Sequence, residues 1–437
     1  MAIDDAAEFD KRRMRREELK FKRARERKRT IIGLVIAAVV LLAAAVLIVI
    51  LTRKPAPQGQ TDPTGTLPTG ETVPATTAQT EPQIAETEPP RRKRDTVIHF
   101  AAAGDLNVNA LTVEAGGPAY DFSKTFRDVL PVLSSADLTV LNFEGNLIGV
   151  PYGTETVSAP QKMMEALAEA GVDLIQMANS KSIVNGTIGL GTTLDNIRAA
   201  GMEPVGAYAS NADFKKSGGY IIRDVQGIKV AIVAFTKGMD GMALPTGSEN
   251  CVNLLYKDYA TTYQDVDEKG ITKILKAINK QKPDITIALV HWGSEFNDNL
   301  NETQEDIQDL MFSYGVDAVI GTHPHYVQKI QYNESKGTLV AYSLGDFFSD
   351  SQKAGTEYSI LLDLEITKDV DTGQTKITGY SYTPLFTVAE AGELLKVVRL
   401  EEAMRAYEEG YVDRVSKEIY EDMVYALSRI EERVNGK

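Results

Sequence analysis

Residues 315–328 read Gly-Val-Asp-Ala-Val-Ile-Gly-Thr-His-Pro-His-Tyr-Val-Gln. The apolar run Ala318–Ile320 reads as a buried strand, and His323-Pro324-His325 lies just past it. A second run, Ile285–Val290, ends in His291. Three of the four histidines of the chain therefore fall within residues 291–325. Far upstream, Phe100–Ala103 leads into Gly104-Asp105, and Leu138–Leu141 leads into Asn142-Phe143-Glu144. Acids and imidazoles at the mouths of parallel strands are what a two-metal hydrolytic centre requires.

Working outward, strands are expected at 97–103, 138–142, 173–177, 228–235, 284–290, 317–321, 338–344, 357–365 and 375–384. Helices are expected at 161–170, 191–200, 264–280 and 302–314. The last puts Ile307, Leu310, Met311 and Tyr314 on one face at helical spacing. Strand-helix alternation early and strand-rich sequence late predict an α/β domain with two packed sheets. Residues 394–435 read as two amphipathic helices broken near Gly410, packed back on the domain or serving a partner as a structural adaptor.

The 437 residues carry a net charge of −14, unevenly spread. Residues 1–54 hold 14 Lys/Arg against 7 Asp/Glu, and residues 96–437 hold 29 against 48. An acidic body lacks the basic footprint that nucleic acid demands, so nucleic acid is excluded as a partner. The single cysteine, Cys251, permits no intrachain disulfide and reads as a partly buried small side chain.

Residues 31–51 are consecutive and apolar, enough to span a hydrocarbon core of about 30 Å. The run ends in Leu-Thr-Arg-Lys rather than a small-residue cleavage site, so an uncleaved anchor at 31–52 is expected. Twelve Lys/Arg between Lys11 and Arg29 precede it. They place segment 1–30 in the cytoplasm and the remainder outside a bacterial cell, on a single-pass membrane protein. Residues 53–95, rich in Pro and Thr, read as a disordered spacer closed by Arg91-Arg92-Lys93-Arg94, a solvated charge run or a contact for an anionic polymer. The expected domain then covers 96–390, with C-terminal helices over 391–437.

Within the domain, Asp105 and Asn107 lie one residue apart at a strand end, where an extended backbone lets both face one ion. Glu144 can bridge, and His291, His323 and His325 supply nitrogen. His99, inside the first strand, reads as a satisfied core or surface histidine.

The chain resembles the CapA family of capsule-synthesis proteins, associated with poly-γ-glutamate capsules, over roughly residues 96–390. The carriers are Ala103-Gly104-Asp105, Asn142-Phe143-Glu144-Gly145, Gly171-Val172-Asp173 with Ala178-Asn179, and Val205-Gly206-Ala207. His291-Trp292-Gly293 with Glu295, the 315–328 segment, and Tyr342-Ser343-Leu344-Gly345-Asp346-Phe347 complete them. The resemblance implies a calcineurin-like metallophosphatase fold, an α/β/β/α two-sheet sandwich. It implies a first metal on Asp105, Glu144 and His325, with Asn107 at a ligand position of the wider pattern. It implies a second metal on Glu144, His291 and His323, with Glu144 as the bridge. Asn142, Asn179, Trp292, Glu295 and Asp346 would support the site.

The family pattern Ala-Asn-Asn-His stands here as Ala178-Asn179-Ser180-Lys181, with Val184 at a later Asp and Asp346 at a later Asn. Ser180 is a shorter, weaker metal ligand than asparagine, and Lys181 replaces the imidazole that would act as general acid. An ammonium can instead stand in for a cation. The site is therefore expected to hold divalent metal, Mn, Fe or Zn, in one, two or no copies. Two readings stay open: a weakened metal-dependent hydrolase, or an inactive protein on the same scaffold. The implied partners are an anionic cell-envelope or capsule polymer, the membrane, and capsule-synthesis membrane proteins.

Overall fold

The structure is a computed structural model that describes residues 94–388, 394–411 and 415–436. The apolar run at 31–51, the basic segment before it and the spacer up to residue 93 lie outside the described residues. Among the described residues, no helix is long and apolar enough to cross a membrane.

In chain order the strands are β1 (Thr96–Asn107), β2 (Leu138–Glu144), β3 (Leu174–Gln176), β4 (Glu203–Val205), β5 (Ile221–Val225), β6 (Ile228–Thr236) and β7 (Ile285–His291). They continue with β8 (Ala318–Thr322), β9 (Ile330–Asn333), β10 (Thr338–Ala341), β11 (Tyr358–Lys368), β12 (Thr375–Val388) and β13 (Lys396–Arg399). The α-helices are α1 (Ala110–Glu114), α2 (Leu130–Leu133), α3 (Gln161–Glu169), α4 (Gly186–Ala199) and α5 (Asn211–Ser217). After them come α6 (Glu268–Gln281), α7 (Glu302–Ser313), α8 (Leu400–Glu408) and α9 (Lys417–Val434).

Two sheets form, a 7-stranded one in the order β13-β12-β11-β1-β2-β3-β4 and a 6-stranded one in the order β5-β6-β7-β8-β10-β9. The mixed α/β, two-sheet fold expected from the sequence is thus observed. Side-chain alternation along β6 shows how the layers are built. Val230, Ile232 and Ala234 point into the core shared with the first sheet. Ala231, Val233 and Phe235 point the other way, onto Ile271, Ile274, Leu275 and Ile278 of α6 and Ile307 and Met311 of α7.

The pairs β1/β2, β2/β3, β6/β7 and β7/β8 are parallel. Parallel strands bring their C-terminal ends to one edge, which is where loops carrying function gather in such sheets. At Gly104 the β1/β2 register slips by one residue. A Cβ there would stand 1.9 Å from the carbonyl oxygen of Gly345, so only glycine lets β1 run this close to the 344–348 segment. The slip hands Asp105 to the loop side: its N–H donates to Gly345 O and its own carbonyl accepts from Phe348.

Several element boundaries differ from the sequence reading. β1 and β2 run on to Asn107 and Glu144, past the expected ends, because the bulge keeps them paired. β10 stops at Ala341 rather than 344, and β4, β5, β9 and β13 have no counterpart among the expected strands. β13 lies within the stretch read as helix, because its Val397-Val398 pair adds to the open edge of β12. α4 starts at Gly186, five residues early. Its glycine-rich first turn has poor helix propensity, but burial of Gly189, Leu190 and Leu194 overrides that preference. The C-terminal helices do pack back: Leu400, Met423, Ala426, Ile430 and Val434 join the main core. Cys251 is fully rather than partly buried, and the His99 Nδ1 meets Asp363 at 2.9 Å on the neighbouring strand.

Candidate metal centre

Asp105 on β1, Glu144 at the end of β2, His291 at the end of β7, and His323 and His325 just past β8 are all buried. The structure brings them into one pocket where the two sheets meet. Asp105 Oδ2 accepts from the backbone N–H of His323 at 3.0 Å, tying the first sheet to the second. Its Oδ1 accepts from Asn142 Nδ2 at 2.6 Å. Asn142 is held in turn by Asn179, whose Nδ2 donates to Asn142 Oδ1 at 3.1 Å and to the Phe143 carbonyl at 2.8 Å. Asn142 and Asn179 thus orient the acid.

Ligand atoms fall into two groups, Asp105–Glu144–His291 and Asp105–His325–Asp346, each with its members within 4.8 Å of one another. Asp105 belongs to both groups, and Glu144, expected as the bridge, to one of them. Asp346, expected as a supporting residue, contributes a ligand atom of its own, with Oδ1 2.7 Å from His325 Nδ1. The reason is the close approach at Gly104, which brings the 344–348 segment against β1. His325 Nδ1 also lies 3.6 Å from Asp105 Oδ2, and His291 Nε2 lies 3.6 Å from Glu144 Oε1. Glu295 is more distant, its Oε1 4.0 Å from His325 Nε2.

His323 stands beside these groups, its ring 4.5 Å from that of His291 and 6.2 Å from that of His325, centre to centre. Its Nδ1 is buried without a hydrogen-bond partner. His323 and His325 both have positive φ, 92° and 59°. Left-handed backbone at two non-glycine residues flanking Pro324 is strain of the kind held at functional sites.

Electrostatics point the same way. Burial pushes the Glu144 carboxyl up to about 8, helped by the charge of Asp105. Burial also raises Asp105 to about 6, against the pull of His325 and with a push from Asp346. Burial, then neighbouring imidazoles and lysines, hold His291 and His323 well below their ordinary value, so both are neutral. Burial opposes charge on His325 too, but Asp346, Glu144 and Asp105 outweigh it and raise His325 to about 10. Crowded acids that resist ionisation, neutral imidazoles and an orphaned nitrogen are a donor set that a divalent cation would satisfy.

The remaining expected residues behave differently. Ser180 Oγ sits 3.1 Å from His291 Nε2, and Thr322 Oγ1 lies 3.1 Å from His291 Nδ1. Both nitrogens of that imidazole are engaged. The Lys181 ammonium is paired with Asp240 at 2.5 Å, and its charge also acts on Glu144. Burial would lower the Lys181 pKa, but Asp240, Glu144 and Glu295 more than offset it and hold it above the usual lysine value. It therefore stays charged and is a poor proton donor near neutrality. Asn107 ends β1 opposite Glu144, its carbonyl accepting from Thr112 Oγ1. Trp292 points away from the site into the opposite core, where Nε1 donates to the Tyr342 carbonyl at 2.9 Å. Strand alternation decides this, since His291 and Trp292 are consecutive.

Thr322, Asp240 and Lys237 also border the site, and none is singled out by the sequence reading. Thr322 lies inside the Gly-Thr-His-Pro-His segment, where its position before the first histidine is a usable signal. Asp240 and Lys237 sit in an unremarkable loop after β6 and carry no local signal. Ser180, Lys237, Asp240, Tyr263, Glu295 and His323 line a pocket of about 260 Å³ beside the acids.

Two sheets presenting buried carboxylates and imidazoles at adjoining strand ends define an α/β protein equipped to hold cations. The profile of the family described as "Bacterial capsule synthesis protein PGA_cap" matches residues 99–351, and the chain belongs to that family. It is 25% identical over 281 residues to the capsule biosynthesis protein CapA of Bacillus anthracis, spanning 63% of this chain and 65% of that one, just under two thirds of its length. It is 27% identical over 307 residues to the PGA biosynthesis protein CapA of Bacillus subtilis (strain 168), spanning 67% of this chain and 74% of that one. Among solved structures it is similar to a calcineurin-like phosphoesterase from Bacillus subtilis, with 15% identity and a TM-score of 0.41 over 67% of this chain and 91% of that one. It is also similar to a phosphatase from Mycoplasma pneumoniae, with 17% identity and a TM-score of 0.40 over 67% of this chain and 94% of that one.

Proposed function

We propose that this protein is a membrane-anchored, extracellular member of its family that serves the biosynthesis of an anionic capsule or envelope polymer, of the poly-γ-glutamate type. Its work centres on one divalent cation held by Asp105, His325 and Asp346, with Glu144 close by. The observation that carries the reading is the buried Asp105–His325–Asp346 group, whose ligand atoms lie within 4.8 Å of one another. The apolar run at 31–51, preceded by basic residues, supports the anchor and its orientation. The matched relatives' names supply the polymer class.

One cation rather than two is favoured by Ser180, which puts a short hydroxyl 3.1 Å from His291 Nε2 where the family pattern has an asparagine amide, and so leaves the Asp105–His325–Asp346 group as the better site. Bound there, a divalent cation such as Mn, Fe or Zn supplies Lewis acidity toward a carbonyl or phosphoryl oxygen and raises the acidity of a water. The chain's own groups do the rest. Asn142 and the His323 N–H fix both oxygens of Asp105. Burial of the acids excludes bulk water from their side of the pocket. Lys181, locked to Asp240, brings fixed positive charge toward Glu144 but no ready proton.

A second reading follows from that same lysine: the scaffold binds the polymer or a capsule-synthesis membrane partner without cleaving it. Metal analysis of the full-length protein decides the first point, with about one equivalent expected in the wild type and little in His325→Ala. Wild type free of Mn, Fe and Zn after growth with each would refute the cation reading. Turnover of phosphodiester and γ-glutamyl amide substrates by the loaded protein separates the hydrolase from the binder.

A further inference from the structure

Lys237 is the first residue past β6, at the strand mouth beside His291, whose carbonyl accepts its backbone N–H at 2.8 Å. Its side chain is half-buried and lines the pocket next to His323. The ammonium donates to the Gly293 carbonyl at 2.7 Å and lies 4.7 Å from the centre of the Tyr263 ring. Both partners are neutral. Among the described residues it makes no ion pair, whereas its neighbour Lys181 is already neutralised by Asp240. An ammonium has three donors, so the carbonyl leaves at least one to be met from the pocket. Partial burial without a directly paired counter-charge is unfavourable, and burial pulls its pKa down although Glu295 and Asp240, nearby but not paired with it, push the other way.

We propose that Lys237 is the recognition residue for an oxyanion of the substrate, a carboxylate or phosphate group seated in the pocket beside His323. The pocket volume suits a single anionic unit of a polymer rather than a folded partner. The Tyr263 ring faces the ammonium at 4.7 Å, and the Gly293 carbonyl fixes its direction. The charge acts from the rim, so it selects anionic chains before the buried acids are reached. This deepens the proposed function and rests on its reading of an anionic polymer as substrate.

The test uses the full-length protein stripped of metal with EDTA and dialysed. Calorimetric titration is run with γ-linked tri-glutamate in one arm and inorganic phosphate in the other. At least one should bind, and Lys237→Gln should weaken that binding about tenfold or more, the loss expected for a charge-assisted contact. Lys237→Met, which keeps an unbranched apolar stem without the charge, should do the same and guards against a folding failure. Lys257→Gln removes an equal charge from an exposed pair with Asp265 and should change affinity less than about twofold. Dependence on Lys237 in the glutamate arm identifies a carboxylate ligand; dependence in the phosphate arm alone identifies a phosphate. Absence of binding by the wild type, or equal affinity in the Lys237 variants, overturns the proposal. Metal content measured before stripping reports on the cation centre separately, so the two ideas fail independently.

Discussion

The carboxylate of Asp105 and the backbone N–H of His323 form a 3.0 Å hydrogen bond across 218 residues of chain. This contact closes the seam between the two sheets at the very point where the ligand atoms collect. It fixes one oxygen of the shared acid before any cation arrives. The site is therefore preorganised by backbone as much as by side chains.

Replacing Glu144 with Gln should raise the melting temperature of the metal-free protein while reducing its metal affinity. In the fold the Glu144 carboxyl is raised from 4.5 to about 8. A raised acid contributes stability that is fully present below pH 4.5 and is lost as pH rises through 8. At pH 7 the amide removes a cost of the order of a few kcal/mol, since each tenfold change in proton affinity is worth about 1.4 kcal/mol. Melting curves from pH 5 to 8 in chelator check this: the wild type should lose stability across the window and Glu144→Gln should be flatter. Equal slopes would show that Glu144 ionises freely in the fold.

Cation affinity should strengthen as pH rises from 6 to 8. Without metal, Glu144 and Asp105 are pushed up and His325 is raised to about 10, so all three tend to hold protons that a cation must displace. Calorimetry of Mn binding in buffers of different ionisation enthalpy would read the protons released. Affinity that is flat over this range would contradict the assignment of these groups as ligands.

The double variant Ser180→Asn, Lys181→His should carry close to two equivalents of metal against one in the wild type. It frees His291 Nε2 from the serine hydroxyl, adds an amide oxygen, and removes the fixed ammonium that Asp240 now neutralises. Elemental analysis of the purified full-length proteins makes the comparison. A single equivalent in both would mean that other residues limit the count.

Ile430→Ala should destabilise the domain by about 2–5 kcal/mol, the usual range for emptying a buried aliphatic site. Ile430 on α9 is fully buried in the main core. The same helix reaches the rim of the site: Arg433 Nη2 is 3.1 Å from Asp298 Oδ2, and Phe296, two residues earlier, stacks on His325 with ring centres 5.1 Å apart. Deletion of residues 394–437 should abolish cooperative unfolding by circular dichroism. A deletion that still melts cooperatively at the wild-type temperature would make α9 an accessory.

Much of the fold is readable in the sequence because the signals are local. Runs such as Ile285–Val290, apolar but for Thr286, and Ala318–Ile320 carry the pattern that a strand covered on both faces needs wherever it lies. The periodicity of Ile307 and Met311 marks the covered face of α7 for the same reason. β13 has no such signal, because four residues with two valines fit a helix face equally well. Only the free edge of β12 makes them a strand. The start of α4 is hidden as well, because packing overrules propensity in its glycine-rich turn.

By itself, the sequence determined which residue types stand at the strand mouths: Asp105, Glu144, His291, His323 and His325 are each tied to an apolar run beside them. It also showed the departure at Ser180 and Lys181. Tertiary structure alone decided that Asp105 stands in both clusters of ligand atoms, that Asp346 joins one of them, that Trp292 turns away, and that Asp240 claims the Lys181 ammonium. Those outcomes depend on a one-residue slip at Gly104 and on contacts between segments far apart in the chain. Neither the slip nor such distances are encoded in any local pattern, because hydrogen bonds and charges respond to separation in space rather than along the backbone.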